Sequence, residues 1–508
     1  MQRRLGLIIS AAPMYFVLCL TLCFSTICTS QQSNDFIDYN TAVRQCYQKV
    51  ISLRMEEALV DIKKLKICQP NNLAIVHLEN YVDFFTLFIT EDPKSFKSRV
   101  ANKSLRLNYL EDHPVNSPYY RFIKAEILLQ WALVRLKFDE KLTAGSEVYE
   151  AYKLLEKNKK DYPQFIENYK SLSIIHTLAQ SMPSWVRKII GVKGSISLGT
   201  SEIEVLSKIA MADSNYLFRE EVAAIHSYIL CYQNNRRNEA ITVLENFKLD
   251  HKSNPLVAFL KASIYHQSGQ NEKCLEILGD RAQGSQYLDF YYLDFMMGKC
   301  KLYRLDADAG KYIQRFLDRF KGQHYIKEAY QKMAWFELVQ NNDATAYTAN
   351  MTKCLSNGSA LLDEDKQSLN EAKLGHVSHH VLLKARLLYD GGYYTKAEKL
   401  LNSGNINFNG NKTVEVEFHY RLGRVYQAQM KNESARIQLN SSMAKGRDLQ
   451  EYFACGAALQ LGLMEEEDHN ILKAEKYFSA CLDMDPDQYK SSLHQKAKSG
   501  LERLKKKQ

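Results

Sequence analysis

Apolar side chains recur three and four positions apart through most of this chain, and strict apolar/polar alternation bounded by turns is scarce. The first spacing lines one face of a helix and the second one face of a strand, so the pattern predicts an all-α fold. Only nine prolines punctuate 508 residues. A chain of that length exceeds the usual size of one compact core, which leaves several domains or an elongated repeat. Self-similarity at a fixed period separates the two.

Such self-similarity is present. Leu422, Gly423, Tyr426, Ala435 and Leu439 set small residues against large ones along two successive helical stretches. Ala262, Tyr265, Gly269, Cys274 and Leu278 repeat the order with Cys274 in a small position, and Ala240 lies 34 residues before Cys274. Ala385, Leu388, Gly392, Tyr394, Ala397 and Leu401 form a third set, through the turn Asp390-Gly391-Gly392-Tyr393. Cys46, Ala58, Ile62, Leu65 and Pro70 hold the corresponding places near the N terminus; Gly456, Leu459, Ala474, Phe478, Cys481 and Pro486 hold them near the C terminus. Small residues let antiparallel helices approach, and large ones fill the seam to the next pair. The acidic and polar run from Met464 to Asn470 reads as a lengthened turn.

These sets resemble the tetratricopeptide repeat. The resemblance implies a right-handed α-solenoid of roughly ten to twelve helix pairs, whose first helices line a concave groove for extended peptides. Ile326-Lys-Glu-Ala-Tyr-Gln-Lys-Met-Ala-Trp335 and Leu382-Leu-Lys-Ala-Arg-Leu-Leu-Tyr-Asp-Gly-Gly392 are similar to exported tetratricopeptide proteins of Bacteroidota type. Residues 35–180 are then N-terminal repeats and 201–504 C-terminal ones. Between them Pro183, Gly191, Gly194 and Gly199 interrupt regular helix, while Trp185, Val186, Ile189, Ile190 and Val192 demand burial. This 181–200 segment resembles the one that interrupts the repeat array in the eukaryotic inclusion-body-clearance family. It is either a wedge between two halves or an exposed hook, with Trp185, Arg187 and Lys188 as the partner-binding residues.

The N terminus adds a destination. Arg3-Arg4, an apolar run from Leu5 to Cys28 and the small exit Cys28-Thr29-Ser30 have the anatomy of a secretory signal peptide over residues 1–30. The run approaches the length of a membrane span, but Pro13 interrupts it and no cationic cluster follows. The expectation is an exported chain of the periplasm or cell envelope, or a secreted one, with no transmembrane span in its mature part. Removing Arg3 and Arg4 with no acid lowers the formal charge from +9 to +7. Lysines cluster only in short runs among interspersed acids, whereas nucleic acid wants a concentrated basic face, so no nucleic-acid partner is expected.

Chemistry is sparse. There is no phosphate-binding loop and no His-Glu-x-x-His; Gly194-Ser195-Ile196-Ser197-Leu198-Gly199 only approaches a nucleophile elbow. His376, His379 and His380 could share a helix face and hold a metal, but no further ligand completes the sphere. Asp363-Glu364-Asp365 and Glu465-Glu466-Glu467-Asp468 read as solvated turns and helix starts. The eight cysteines beyond residue 30 read as small buried hydrophobes, with Cys46 and Cys68 the local candidates for a bridge. No catalytic residue, metal site or cofactor is predicted. The expected function is a non-catalytic scaffold that binds a protein partner through a concave helical surface. The alternative is a binding protein for a small apolar ligand or glycan in a pocket closed by residues 181–200.

Overall fold

The computed structural model describes residues 35–181, 191–403, 406–408 and 410–505. Trp185, Arg187 and Lys188 lie outside the described residues, as does the 1–30 segment. The chain is all-helical, and its helices pack neighbour to neighbour. The N-terminal half comprises α1 Thr41–Ile51, α2 Met55–Cys68, α3 Ala74–Thr90, α4 Pro93–Arg99, α5 Asn102–Asp112, α6 Pro118–Lys137, α7 Lys141–Asp161, α8 Asn168–Ser181, α9 Ile196–Ala212, α10 Arg219–Tyr228 and α11 Arg237–Phe247. Then follow α12 Pro255–Gln267, α13 Asn271–Gly279, α14 Tyr292–Arg304, α15 Ala309–Arg319, α16 Ile326–Asn341, α17 Ala344–Ser356 and α18 Asp363–Leu374. The last seven are α19 His380–Asp390, α20 Tyr394–Asn402, α21 Lys412–Ala428, α22 Asn432–Gly446, α23 Phe453–Glu467, α24 Ile471–Leu482 and α25 Lys490–Lys505.

Local chemistry starts these helices. Asp92, Ser117 and Asn254 each cap an N terminus with a side-chain oxygen, and a proline occupies the first helical position behind each. There the missing N–H would have no helical partner in any case. Small residues then set the contacts. Cys46, Ala58, Ala240, Ala262, Cys274, Ala385, Ala397, Gly423, Ala435, Gly456 and Ala474 are all buried. Cys46 Sγ lies 3.6 Å from the Ala58 carbonyl and Cys274 Sγ 3.4 Å from that of Ala262, each thiol resting on the partner helix of its pair. A Cβ on Gly423 would meet Leu439 at 2.8 Å. Cys68 is exposed and Cys46 buried, and both are free thiols.

Two expectations about where helices break need correction. Gly199, read as a helix breaker, lies within the first turn of α9, where its lack of a side chain lets α9 lie against α8. The acidic run after Met464 is not a turn: α23 continues to Glu467, and Glu465 is buried, taking a bond from Arg436 Nε at 3.1 Å.

The N-terminal half closes on itself. Lys170 of α8 is 1% exposed. Its ammonium donates to Glu126 of α6 at 2.7 Å, to Glu221 of α10 at 2.7 Å and to the Tyr81 hydroxyl of α3 at 2.8 Å. Tyr47 of α1 donates to the same Glu221 carboxylate, and Ser171 to Glu126. Four helices therefore meet at one ammonium and α1 joins through Glu221; the ammonium also stands 4.3 Å from the Phe218 ring centre. A buried charge is tolerable only with such pairing. Burial opposes the Lys170 charge, but the two carboxylates more than offset it and raise its pKa.

Later helices lie against this ring. The Leu288 amide donates to the Leu53 carbonyl at 2.8 Å. Buried Glu91, just past α3, holds Lys137 Nζ at 2.8 Å and His324 Nδ1 at 2.7 Å. Gly392 has φ +80°, and a Cβ there would stand 2.3 Å from the Gly269 carbonyl oxygen, so only glycine fits where these two turns touch.

Asp365, expected at a solvated turn or helix start, does lie in the first turn of α18, but it is fully buried and caps another helix from a distance. Its carboxylate accepts the amides of Tyr325 at 2.7 Å and Glu328 at 3.1 Å, at the start of α16. Burial nevertheless pushes its carboxyl up to about 6. The folded state thus holds this proton more tightly than the unfolded chain. That contribution is full below the unfolded pKa near about 4 and is lost as pH rises through about 6. Relative to wild type, Asp365→Asn is expected to gain on the order of 2–3 kcal/mol between pH 4 and pH 7. Urea unfolding of both proteins at the two pH values measures this; an unchanged gap would refute it.

Candidate functional site

The first helices of successive pairs contact one another along one face of the array. In the N-terminal half that face is filled by the Lys170 cluster. Further along it opens. Burial of Leu382, Leu383, Ala385, Leu387 and Leu388 fixes the orientation of α19 and leaves Arg386, Tyr389 and Asp390 together on another side, three and four residues apart. In α21 the buried positions are Val416, Tyr420, Leu422, Gly423 and Val425, and Arg421 and Arg424 follow the same three-residue spacing. With Tyr452 just ahead of α23, these residues line a cleft of about 150 Å³.

Its three arginines are held differently. Arg386 stacks 4.4 Å from the Trp335 ring centre and donates to Glu371 at 3.5 Å. Glu371 also accepts from Trp335 Nε1 at 2.7 Å and Gln331 Nε2 at 2.8 Å, so its position is fixed. Arg421 donates through Nε to Glu417, one turn earlier, at 2.7 Å. Arg424 has no carboxylate within ion-pair distance among the described residues. Its guanidinium donates to the Tyr389 hydroxyl at 2.6 Å and the Tyr420 hydroxyl at 3.4 Å, and its Nε is buried without a partner. Burial works against that charge, but the Tyr420 and Tyr389 oxygens outweigh it and its pKa is raised. Phenol oxygens stabilise a guanidinium less than a carboxylate does, because they carry no formal charge.

The floor beside the cleft is also cationic. Lys332 lies 3.8 Å from the Trp335 ring centre, and burial draws its ammonium down to about 8. Tyr452 packs edge-on against Tyr489 at the entrance to α25, and burial raises its hydroxyl above the ordinary phenol range. An anionic group entering here meets three guanidiniums, one of them without a carboxylate partner, beside the Asp390 carboxylate and a wall of aromatic rings. Among the described residues that line the cleft, no nucleophile is paired with a base.

None of these cleft residues stood out in the sequence. Arg386, Arg421 and Arg424 lie in segments whose small and large residues carry the repeat pattern, and nothing in the sequence sets the arginines apart. The usable signal was the three-residue spacing of Arg421 and Arg424 beside Tyr420, on a first helix. The histidines do not share a helix face: His376 precedes α19, His379 caps it by accepting the Leu382 amide at 3.4 Å, and only His380 lies within it. No family model matches the chain, and no curated protein matches it.

Proposed function

We propose that this chain is a non-catalytic interaction protein: a right-handed α-solenoid of tetratricopeptide type whose concave first-helix face grips a partner segment. Arg424 receives an acidic group of that segment, either a side-chain carboxylate or a C terminus. With residues 1–30 read as an export signal, its location is the periplasm or cell envelope. No helix among the described residues is long and apolar enough to cross a membrane.

The observation that carries this reading is the unmatched charge of Arg424. A guanidinium served only by phenols, with one N–H unpaired, gains from any carboxylate that reaches it. Tyr389, Tyr420 and Tyr452 offer rings to the residues on either side. A hydrogen bond to a charged partner contributes about 1.5–3 kcal/mol, or roughly ten- to a hundredfold in affinity. The test is a fluorescence-anisotropy screen of acidic and charge-neutralised peptides against the full chain and Arg424→Gln. The expected result is that peptides with a free carboxylate bind wild type and lose at least tenfold with the variant. Equal binding of acidic and neutral peptides, or an Arg424→Gln protein that binds unchanged, would sink the proposal.

A further inference from the structure

We infer that His266, Cys274 and Cys300 form a binding site for one soft divalent cation of the zinc class. The inference is independent of the Arg424 cleft and concerns three consecutive helices, α12, α13 and α14, each of which supplies one ligand. The three ligand atoms all lie within 4.8 Å of one another. Cys300 Sγ stands 3.2 Å from Cys274 Sγ and 3.6 Å from His266 Nδ1. Zinc binds sulfur at about 2.3 Å and imidazole nitrogen at about 2.0–2.1 Å, so ligands around a tetrahedral ion stand about 3.4–3.8 Å apart. The Cys300–His266 separation falls in that range and the Cys274–Cys300 separation is a few tenths of an ångström short of it, so a bound ion requires side-chain rotation but no shift of the helices.

The donors are held in place by the fold. Asn271, one turn ahead of Cys274 and 3% exposed, donates its amide to the Cys300 carbonyl at 2.8 Å and to the Tyr393 hydroxyl at 2.9 Å. This ties the start of α13 to α14 and fixes the spacing of the two thiols. The His266 ring lies nearly parallel to that of Tyr303, with centroids 5.5 Å apart. Both thiols are buried, while His266 is half-buried. An ion would enter from the imidazole side, and the fourth coordination position would be open to water there.

The donor set selects the ion. Two sulfurs and one imidazole with no hard oxygen ligand favour zinc, cobalt or cadmium over magnesium or calcium. A packing role alone does not explain the cluster. Cys46 rests on Ala58 as Cys274 rests on Ala262, yet among the described residues Cys46 belongs to no such ligand cluster. The chain also supplies its own control. Cys455 and Cys481 are 26 residues apart, as Cys274 and Cys300 are, and their sulfurs stand 3.5 Å apart. Among the described residues, no histidine joins that pair in a ligand cluster. A bound ion would staple α12, α13 and α14 together across a pair boundary, with each protonated thiol releasing its proton to solvent on binding.

The test uses the full chain, purified with a phosphine reductant in metal-free buffer and titrated with cobalt(II). The expected result is a near-ultraviolet thiolate-to-cobalt charge-transfer band and tetrahedral visible bands. Both should saturate at one equivalent and be displaced by zinc. His266→Gln alters a half-buried side chain and is expected to keep the circular dichroism of wild type while weakening cobalt binding at least tenfold. Cys300→Ser is expected to abolish the charge-transfer band, and Cys455→Ser to leave the titration unchanged. The inference is overturned by a wild-type titration without the thiolate band, by full-strength binding in folded His266→Gln, or by loss of the band in Cys455→Ser alone.

Discussion

Lys170→Met is expected to destabilise the chain by about 3–5 kcal/mol, the range for removing one partner from a buried ionic cluster. Methionine fills much of the volume but leaves Glu126 and Glu221 facing each other without a cation. The Tyr81 hydroxyl loses its donor as well. Thermal unfolding followed by circular dichroism measures the loss. The double variant Lys170→Met with Glu126→Gln is expected to recover part of it, because one uncompensated carboxylate is then gone. An unfolding midpoint equal to wild type would mean that aromatic packing around Phe218 holds the ring and the charges contribute little.

Gly199→Ala is the second large effect. The added methyl would fall 2.2 Å from Thr177 Oγ1 and 2.4 Å from the Ser173 carbonyl oxygen. The hydroxyl can rotate away, but the carbonyl belongs to the backbone of α8 and cannot move without shifting the helix. Overpacking of this kind typically costs about 1–3 kcal/mol, and a backbone obstacle puts it at the upper end. Gly279→Ala is the control. Nothing lies within 4 Å of a Cβ there, so it should be neutral or slightly stabilising. The same urea-unfolding assay compares both, and equal midpoints for the two variants would contradict the close α8–α9 contact.

The helical architecture was legible because the spacing of Leu422, Gly423, Ala435 and Leu439 records contacts made within one pair of helices, and local contacts leave a local pattern. Closure of the N-terminal ring leaves none. Tyr47 and Glu221 each look unremarkable in sequence, and only the path of the chain brings them together. The same holds for His266, Cys274 and Cys300, whose spacings match no familiar ligand motif. Asp365 illustrates the converse error. An acidic triplet is usually solvated, but here one member turns inward because the first amides of α16 need acceptors. Arg424 escaped notice for a related reason. An arginine on a helix is ordinarily paired with a nearby acid, and an unmatched charge becomes visible only when its neighbours are phenols.

The bond from Tyr47 to Glu221 spans 174 residues. Repeat arrays with only neighbouring contacts can fold piecewise as they are made, at low contact order. This one cannot close its first helices that way. At synthesis rates of about 5–20 residues per second, roughly ten to thirty seconds separate the emergence of α1 from that of its closing partner on α10. During that interval Tyr47, Tyr81 and the apolar surface around them have no completed interior to enter. Newborn chains therefore pass through a long window of exposure to chaperones and proteases.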